Sequence, residues 1–275
     1  MRQSRRATLL FLLAGLVVGA LALAPYLQMF LTAAKTANEV QAIPPTLLPE
    51  HWDFSNFLTV WTAVPFADYL RSTLIVASGS TVLVLLVGIP AAYYLARFRF
   101  RGRRIYLLLM IMTQVFAPAS LVIGLFREYI AFGLIDSYAA LIITDAAFNA
   151  AFTIWLLHGF FASIPPSLEE AALIDGCSTL QALVRVSLPL AMPGIVTAAI
   201  YSFIAAWNEF VVALTILSTE DKKPLTVGIS EFLGQFNVDW PHLFAGSLIA
   251  IVPVVILFAV IERYLVNGLT AGSVK

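Results

Sequence analysis

Residues 163–189 read Ser-Ile-Pro-Pro-Ser-Leu-Glu-Glu-Ala-Ala-Leu-Ile-Asp-Gly-Cys-Ser-Thr-Leu-Gln-Ala-Leu-Val-Arg-Val-Ser-Leu-Pro. Pro165 and Pro166 end any helix arriving from upstream. Ser167 followed by Glu170 fits a capping box for a new short helix, and Glu169 and Glu170 lie at the positive end of its dipole. Ala171, Ala172, Leu173 and Ile174 continue that helix, and Gly176 permits the turn that ends it. Ser178 or Thr179 can cap a second short helix running towards Leu188, and Pro189 stands at a tolerated opening position for the next segment. The result is a helix–turn–helix hairpin of net charge −2, from Glu169, Glu170 and Asp175 against Arg185.

Both sides of this hairpin are strongly apolar. Segments free of Asp, Glu, Lys and Arg run over 7–34, 72–96, 105–126, 146–168, 186–208 and 240–261. An ionised side chain is costly at mid-bilayer, and about 20 helical residues cross the hydrocarbon, so each segment is long enough to span. The composition agrees: 60% of the 275 residues are hydrophobic and 12% charged, with a mean hydropathy of +0.91, more apolar surface than a soluble domain of this size can hide. The chain reads as an all-α integral membrane protein, a single domain over 1–275 with six transmembrane helices at about 8–31, 70–96, 105–126, 138–161, 190–217 and 243–266. The helix over 138–161 takes in Asp145, and the one over 190–217 continues past Glu209. The N-terminal run resembles a signal peptide through Ala22-Leu23-Ala24, but its length suits a spanning anchor and Pro25 follows the would-be cleavage site.

Arg2, Arg5, Arg6, Arg97, Arg99, Arg101, Arg103 and Arg104 make up half of the 16 basic residues and fall on one side of a six-span alternation. The positive-inside rule puts both termini, and with them the hairpin, in the cytoplasm. An acidic loop on that side invites a reason: a docking site for a basic partner surface supplies one, and a solvated connector is the bland alternative.

With 16 acidic residues balancing the 16 basic ones, no net field attracts nucleic acid. Cys177 is the sole cysteine, which excludes an intrachain disulfide. No phosphate-binding GxxxxGK[ST] loop, zinc-binding HExxH or GxSxG elbow occurs. Polar residues inside spans do stand out. Counted along the helices, Gln114 lies roughly 15 Å deep and Asn208 and Glu209 about 28–30 Å from Pro189, with Asp145 and Asn149 in the outer half of their helix. Together with Trp207 they could line a pathway for a small polar solute, or could join helices to one another.

The pattern Glu169-Ala-Ala-Leu-Ile-Asp-Gly176 followed by Leu188-Pro189 resembles the EAA loop of importer-type ABC transporter permeases. Thr113-Gln-Val-Phe-Ala-Pro118, Phe132-Gly-Leu-Ile-Asp136, Ser202-Phe-Ile-Ala-Ala-Trp-Asn-Glu-Phe210 and the terminal 268–275 are similar to the carbohydrate-uptake branch, in particular the smaller six-span permease of maltose and glycerol-phosphate systems. The resemblance implies a multi-pass protein of the bacterial inner membrane, not itself an enzyme. It implies a heterodimer with a second permease, two ATPase subunits and an extracytoplasmic solute-binding protein. ATP and Mg would be held by the ATPase subunits and no cofactor by this chain. Glu169, Glu170, Ala171, Ala172, Asp175 and Gly176 would belong to a coupling helix seated in an ATPase cleft, with 268–275 reaching towards the ATPase pair. A self-contained ion-coupled carrier or channel is the rival from another class.

Overall fold

A computed structural model describes residues 5–234 and 237–271, with side chains over 11–234 and 237–259. Arg2 and residues 272–275 lie outside the described residues, as do the side chains of Arg5, Arg6 and 268–271. The helices are α1 (Arg5–Ala33), α2 (Ala37–Val40), α3 (Asn56–Ala63), α4 (Phe66–Arg97), α5 (Arg103–Thr113), α6 (Pro118–Ala131), α7 (Tyr138–Ser163), α8 (Pro166–Ile174), α9 (Thr179–Ala182), α10 (Leu188–Leu190), α11 (Met192–Trp207), α12 (Val211–Ile216), α13 (Leu225–Ser230) and α14 (Trp240–Ala271). Among the described residues there is no strand, only an isolated bridge between Leu233 and Val238.

Among the described residues, four helices are long and apolar enough to cross a membrane: Phe11–Ala33, Phe66–Arg97, Tyr138–Ser163 and Trp240–Ala259. Two bent pairs raise the number to six if each is one span. Where the apolar run over 105–126 reads as one helix, the chain turns by 92° between α5 and α6. Pro118 is the cause: it lacks an amide proton, drives Ala117 into an extended conformation (ψ 136°) and restarts the helix from its first turn. The run over 190–217 is likewise interrupted. A 77° bend separates Thr179–Leu190 from α11, and Asn208, Glu209 and Phe210 separate α11 from α12.

Contacts divide the chain into two compact units, residues 1–66 with 228–252 and residues 67–227 with 253–275. In the first, the segment after α1 is tied by polar groups. Buried Lys35 donates to the Thr46 carbonyl and to its Oγ1 (3.1 Å), and the Asn56 amide donates to the carbonyls of Ala33 (2.9 Å) and Lys35 (3.0 Å).

The second unit has two apolar cores, one near each end of α7. One gathers Tyr93 and Leu95 of α4, Leu157 and Phe161 of α7, Leu183 and Ile195. The other gathers Val76, Tyr129, Leu141, Val212, Ile216 and Val227. Burial of such side chains from water or lipid packs α7 against α11 closely enough that a Cβ at Gly194 would lie 2.2 Å from the Phe160 ring. Ser137 caps α7, accepting from the Ala140 amide at 3.3 Å, and extended Ile164 before Pro165 ends it.

Candidate functional site

The hairpin forms, with one correction to its local chemistry. The capping box expected from Ser167 and Glu170 is absent: α8 starts at Pro166, with Pro165 as an N-cap that makes no side-chain hydrogen bond. A proline in the first turn has no amide to satisfy, which removes part of the demand for a cap. The box forms at the second short helix instead. Ser178 Oγ accepts from the Gln181 amide (3.3 Å) and Gln181 Oε1 from the Ser178 amide (2.9 Å). Between them Gly176, at φ +87°, closes a Schellman turn, with Cys177 N donating to Ala172 O (3.0 Å) and Gly176 N to Leu173 O (3.1 Å).

Glu169, expected on the docking face, points into the chain and is 7% exposed. Its carboxylate accepts from Tyr93 Oη (3.0 Å), Arg97 Nε (2.8 Å) and Ser187 Oγ, and lies 2.7 Å from an Arg97 terminal nitrogen. Burial works against its ionisation, but the bonds from Arg97, Ser187 and Tyr93 prevail and hold the carboxyl below the usual glutamate range. Arg97 ends α4, and Ser187 ends a single π-turn, Leu183–Ser187, that joins α9 to α10. One carboxylate thus ties α4, α8 and the descent into α11. The sequence signals for these partners are weak: Arg97 reads first as a topology determinant, and Tyr93 and Ser187 have no motif.

The other face of the hairpin is open. Glu170, Ala171, Asp175 and Gly176 are exposed and Ala172 is half-buried. Around them stand exposed Leu168, Leu173, Ile174 (86%), Leu180 and Val184. A water-facing helical hairpin rarely carries so many uncovered large aliphatic groups, and these are rimmed by carboxylates.

A second polar cluster lies at the other end of α7. Asp136, in the left-handed region at φ 57°, accepts from the amides of Ser218 (2.9 Å) and Thr219 (3.0 Å), from Thr219 Oγ1 (2.5 Å) and from Lys222 Nζ (2.9 Å). Partial burial opposes its ionisation, yet the bonds from Thr219, Lys222 and Ser218 hold it well below the usual aspartate range. The Asp136 hydrogen bond in turn raises Lys222. Ser72 of α4 joins this cluster through Tyr138 Oη (2.7 Å) and the Asp221 carbonyl (3.2 Å).

The intramembrane polar residues occupy different local settings. Gln114 is exposed at the α5–α6 bend, donates to the Phe148 carbonyl (2.8 Å) and lines an open cavity of about 550 Å³ with Thr113, Pro118, Leu121, Ala147 and Phe148. Asn149 donates to the Asp145 carbonyl (2.8 Å). Asp145 is 2% exposed, and its Oδ2 has no hydrogen-bond partner among the described residues. Trp207 is buried and stacks on Phe203 at 5.4 Å. Asn208 is exposed and donates to its own helix at Ile204 O (2.7 Å). Glu209 caps α12 by accepting from Val212 N (2.7 Å) and Ala213 N (2.8 Å). Among the described residues no group of three His, Cys, Asp or Glu could hold a metal ion.

Bent apolar helices and an exposed, internally latched hairpin mark a membrane subunit, and comparison with known proteins identifies the family. Residues 85–270 match the model of the binding-protein-dependent transport system inner membrane component, and the chain belongs to that family. It is 36% identical to an inner membrane ABC transporter permease protein of Escherichia coli, over 91% of this chain and 90% of that one. It is 35% identical to the trehalose transport system permease protein SugB of Mycobacterium tuberculosis, over 99% of both. In structure it superposes on a chain of a bacterial ABC transporter involved in the import of alginate, with a TM-score of 0.79 and 28% identity, over 96% of this chain and 99% of that one. The chain therefore has the ABC permease fold and is a multi-pass inner-membrane transport subunit, not an enzyme.

Proposed function

We propose that this chain, as one permease domain over 1–275, crosses the membrane six times with both termini and the hairpin in the cytoplasm, and carries a sugar or sugar derivative inward. The substrate class is supported by the relatives' names, which give trehalose and alginate. The partners are a second, homologous permease forming a heterodimer, two ATPase subunits that hold ATP and Mg, and an extracytoplasmic binding protein; this chain binds no cofactor.

The observation that carries the reading is the division of labour within the hairpin. Its outward ridge (Glu170, Ala171, Ala172, Leu173, Ile174, Asp175) suits a cleft of the ATPase, while Glu169 fastens the inward side to Arg97 and Tyr93. Movement of the ATPase pair then reaches α4, α7 and α11 as a rigid displacement, because the ion pair and the Schellman turn at Gly176 leave the hairpin no slack. Access alternates as that displacement opens the pathway outward to receive solute and then inward to release it. Gln114 faces the pathway at the bend where α5 gives way to α6, and Asn208 faces it beyond α11. Asp145, Asn149, Trp207 and Glu209 shape its wall from behind.

Reconstitution separates this from a self-contained carrier. The chain alone in liposomes should give no sugar flux, and adding the second permease, the ATPase subunits and ATP should restore flux dependent on the binding protein. Flux from the chain alone would overturn the reading.

A further inference from the structure

Five arginines lie within residues 97–104, and two of them are spoken for. Arg97 holds Glu169, and Arg103 lies 2.7 Å from His158 Nε2. Arg99, Arg101 and Arg104 are exposed, and among the described residues no carboxylate pairs with them. Arg99, Arg103 and Arg104, with Phe100, Gly102 and Ile105, line a cavity of about 410 Å³ in the connection between α4 and α5. Like charges gathered round a concave surface repel one another until an anion enters.

Two further observations describe that anion's surroundings. Exposed Tyr94, Phe98 and Phe100 form a ring cluster beside the cavity, with centroids 4.7 Å and 6.0 Å from Tyr94, an arrangement suited to the headgroup level of a bilayer. Ile105, Leu108, Leu109 and Met112, all exposed, make a single apolar stripe on α5 leading away from the cavity. A basic mouth opening onto an apolar stripe fits an amphipathic ligand with an anionic head.

We propose that this cavity holds the headgroup phosphate of an anionic phospholipid whose acyl chains lie along the α5 stripe. The inference rests on the proposed reading that α4 ends and α5 begins at one membrane surface. Occupancy has a consequence beyond anchoring. The same short connection carries Arg97, which fixes the hairpin, and Arg103, which reaches α7 at His158, so the lipid neutralises repulsion beside the latch and stiffens it.

The test is lipid retention by the purified full chain, measured by native mass spectrometry with phosphatidylglycerol and phosphatidylcholine of the same acyl chains. Wild type should retain phosphatidylglycerol about tenfold better than phosphatidylcholine. Arg99→Gln/Arg104→Gln should lose that preference while retaining phosphatidylcholine as wild type does. Unchanged phosphatidylcholine retention shows that the spans keep their lipid coat, so a loss confined to phosphatidylglycerol concerns the cavity and not the span reading. Arg127→Gln, on exposed α6 surface, should change nothing. Independently of any variant, about 1 M NaCl should reduce wild-type retention to the phosphatidylcholine level. Equal retention of the two lipids by wild type, an unaltered preference in the double variant, or an equal loss in Arg127→Gln would overturn the proposal. Displacement of phosphatidylglycerol by millimolar inorganic phosphate would also overturn it, by marking a site for a free anion.

Discussion

Two carboxylates bracket α7, and each is held by a cation and by hydroxyl donors, yet they do different work. Glu169 follows the helix and is sealed between Arg97, Tyr93 and Ser187, with both ionic side chains about 10% exposed. Asp136 precedes it and is pinned to the 218–222 turn by backbone amides and by Lys222, whose side chain is 37% exposed. A helix of 26 residues, about 39 Å, separates them. Water screens the Asp136 pair and can replace its donors, whereas nothing replaces the partners of Glu169. The Asp136 cluster closes a loop; the Glu169 cluster fixes a lever. The difference lies in solvent access more than in the number of bonds.

Breaking the lever should therefore cost most. Glu169→Ala strands Arg97 in a buried setting, with an expected loss of about 3–5 kcal/mol and no sugar uptake, read by thermal denaturation in detergent and by transport at matched expression. Glu169→Lys should be worse, since it adds a second cation beside Arg97. Replacing Gly176 with proline comes next: φ near −65° cannot serve where the chain needs +87°, and the Gly176 amide bond to Leu173 is lost, at about 3 kcal/mol. Gly176→Asn, which tolerates the left-handed region, should keep most of the uptake. A transport-competent Gly176→Pro would show that the hairpin needs no fixed turn.

Asp136→Ala should cost less, about 1–2 kcal/mol, because its amide donors turn to water. Acid should loosen both ends in the same direction. Each carboxyl titrates lower in the folded chain than unfolded, so its contribution is complete above the ordinary carboxylate range, about pH 4, and is lost as the pH falls from there through the depressed native value. Asp136→Asn should flatten the acid limb of the stability profile more than Glu169→Gln does, because the Asp136 carboxyl is held further below its ordinary range; the reverse order would place the greater proton coupling at the Glu169 end.

Much of this was readable from residue chemistry. The spans stand out because charge is costly in lipid, and the hairpin because prolines, glycine and a serine cap punctuate 163–189 in helical units. The bends were harder to read. Hydropathy sums over 105–126 or 190–217 average across Pro118 and across Asn208 and Glu209, and so do not show the turn or the break in helix at those points. The choice between Ser178 and Thr179 as cap needed the backbone, as did the exclusion of Ser167, whose helix begins with a proline. Pairings over long separations left no local mark. Ser187, at the end of a π-turn, reaches Glu169 from 18 residues away, and Asp136 meets Thr219 from 83 residues away, across α7 to α12. The pathway residues were legible as polar groups in apolar helices, but whether such a group faces a cavity or its own backbone depends on helix rotation, which composition does not encode.

The central claim is that the outward ridge of the hairpin is gripped by a nucleotide-hydrolysing partner. A photo-crosslinker at Ile174, the most exposed large side chain of that ridge, tests it in the assembled complex, with the same probe at Ile123 on α6 as control. Efficient crosslinks from Ile174 to an ATPase subunit, and none from Ile123, are expected. Ile174 adducts limited to lipid and solvent would contradict the claim.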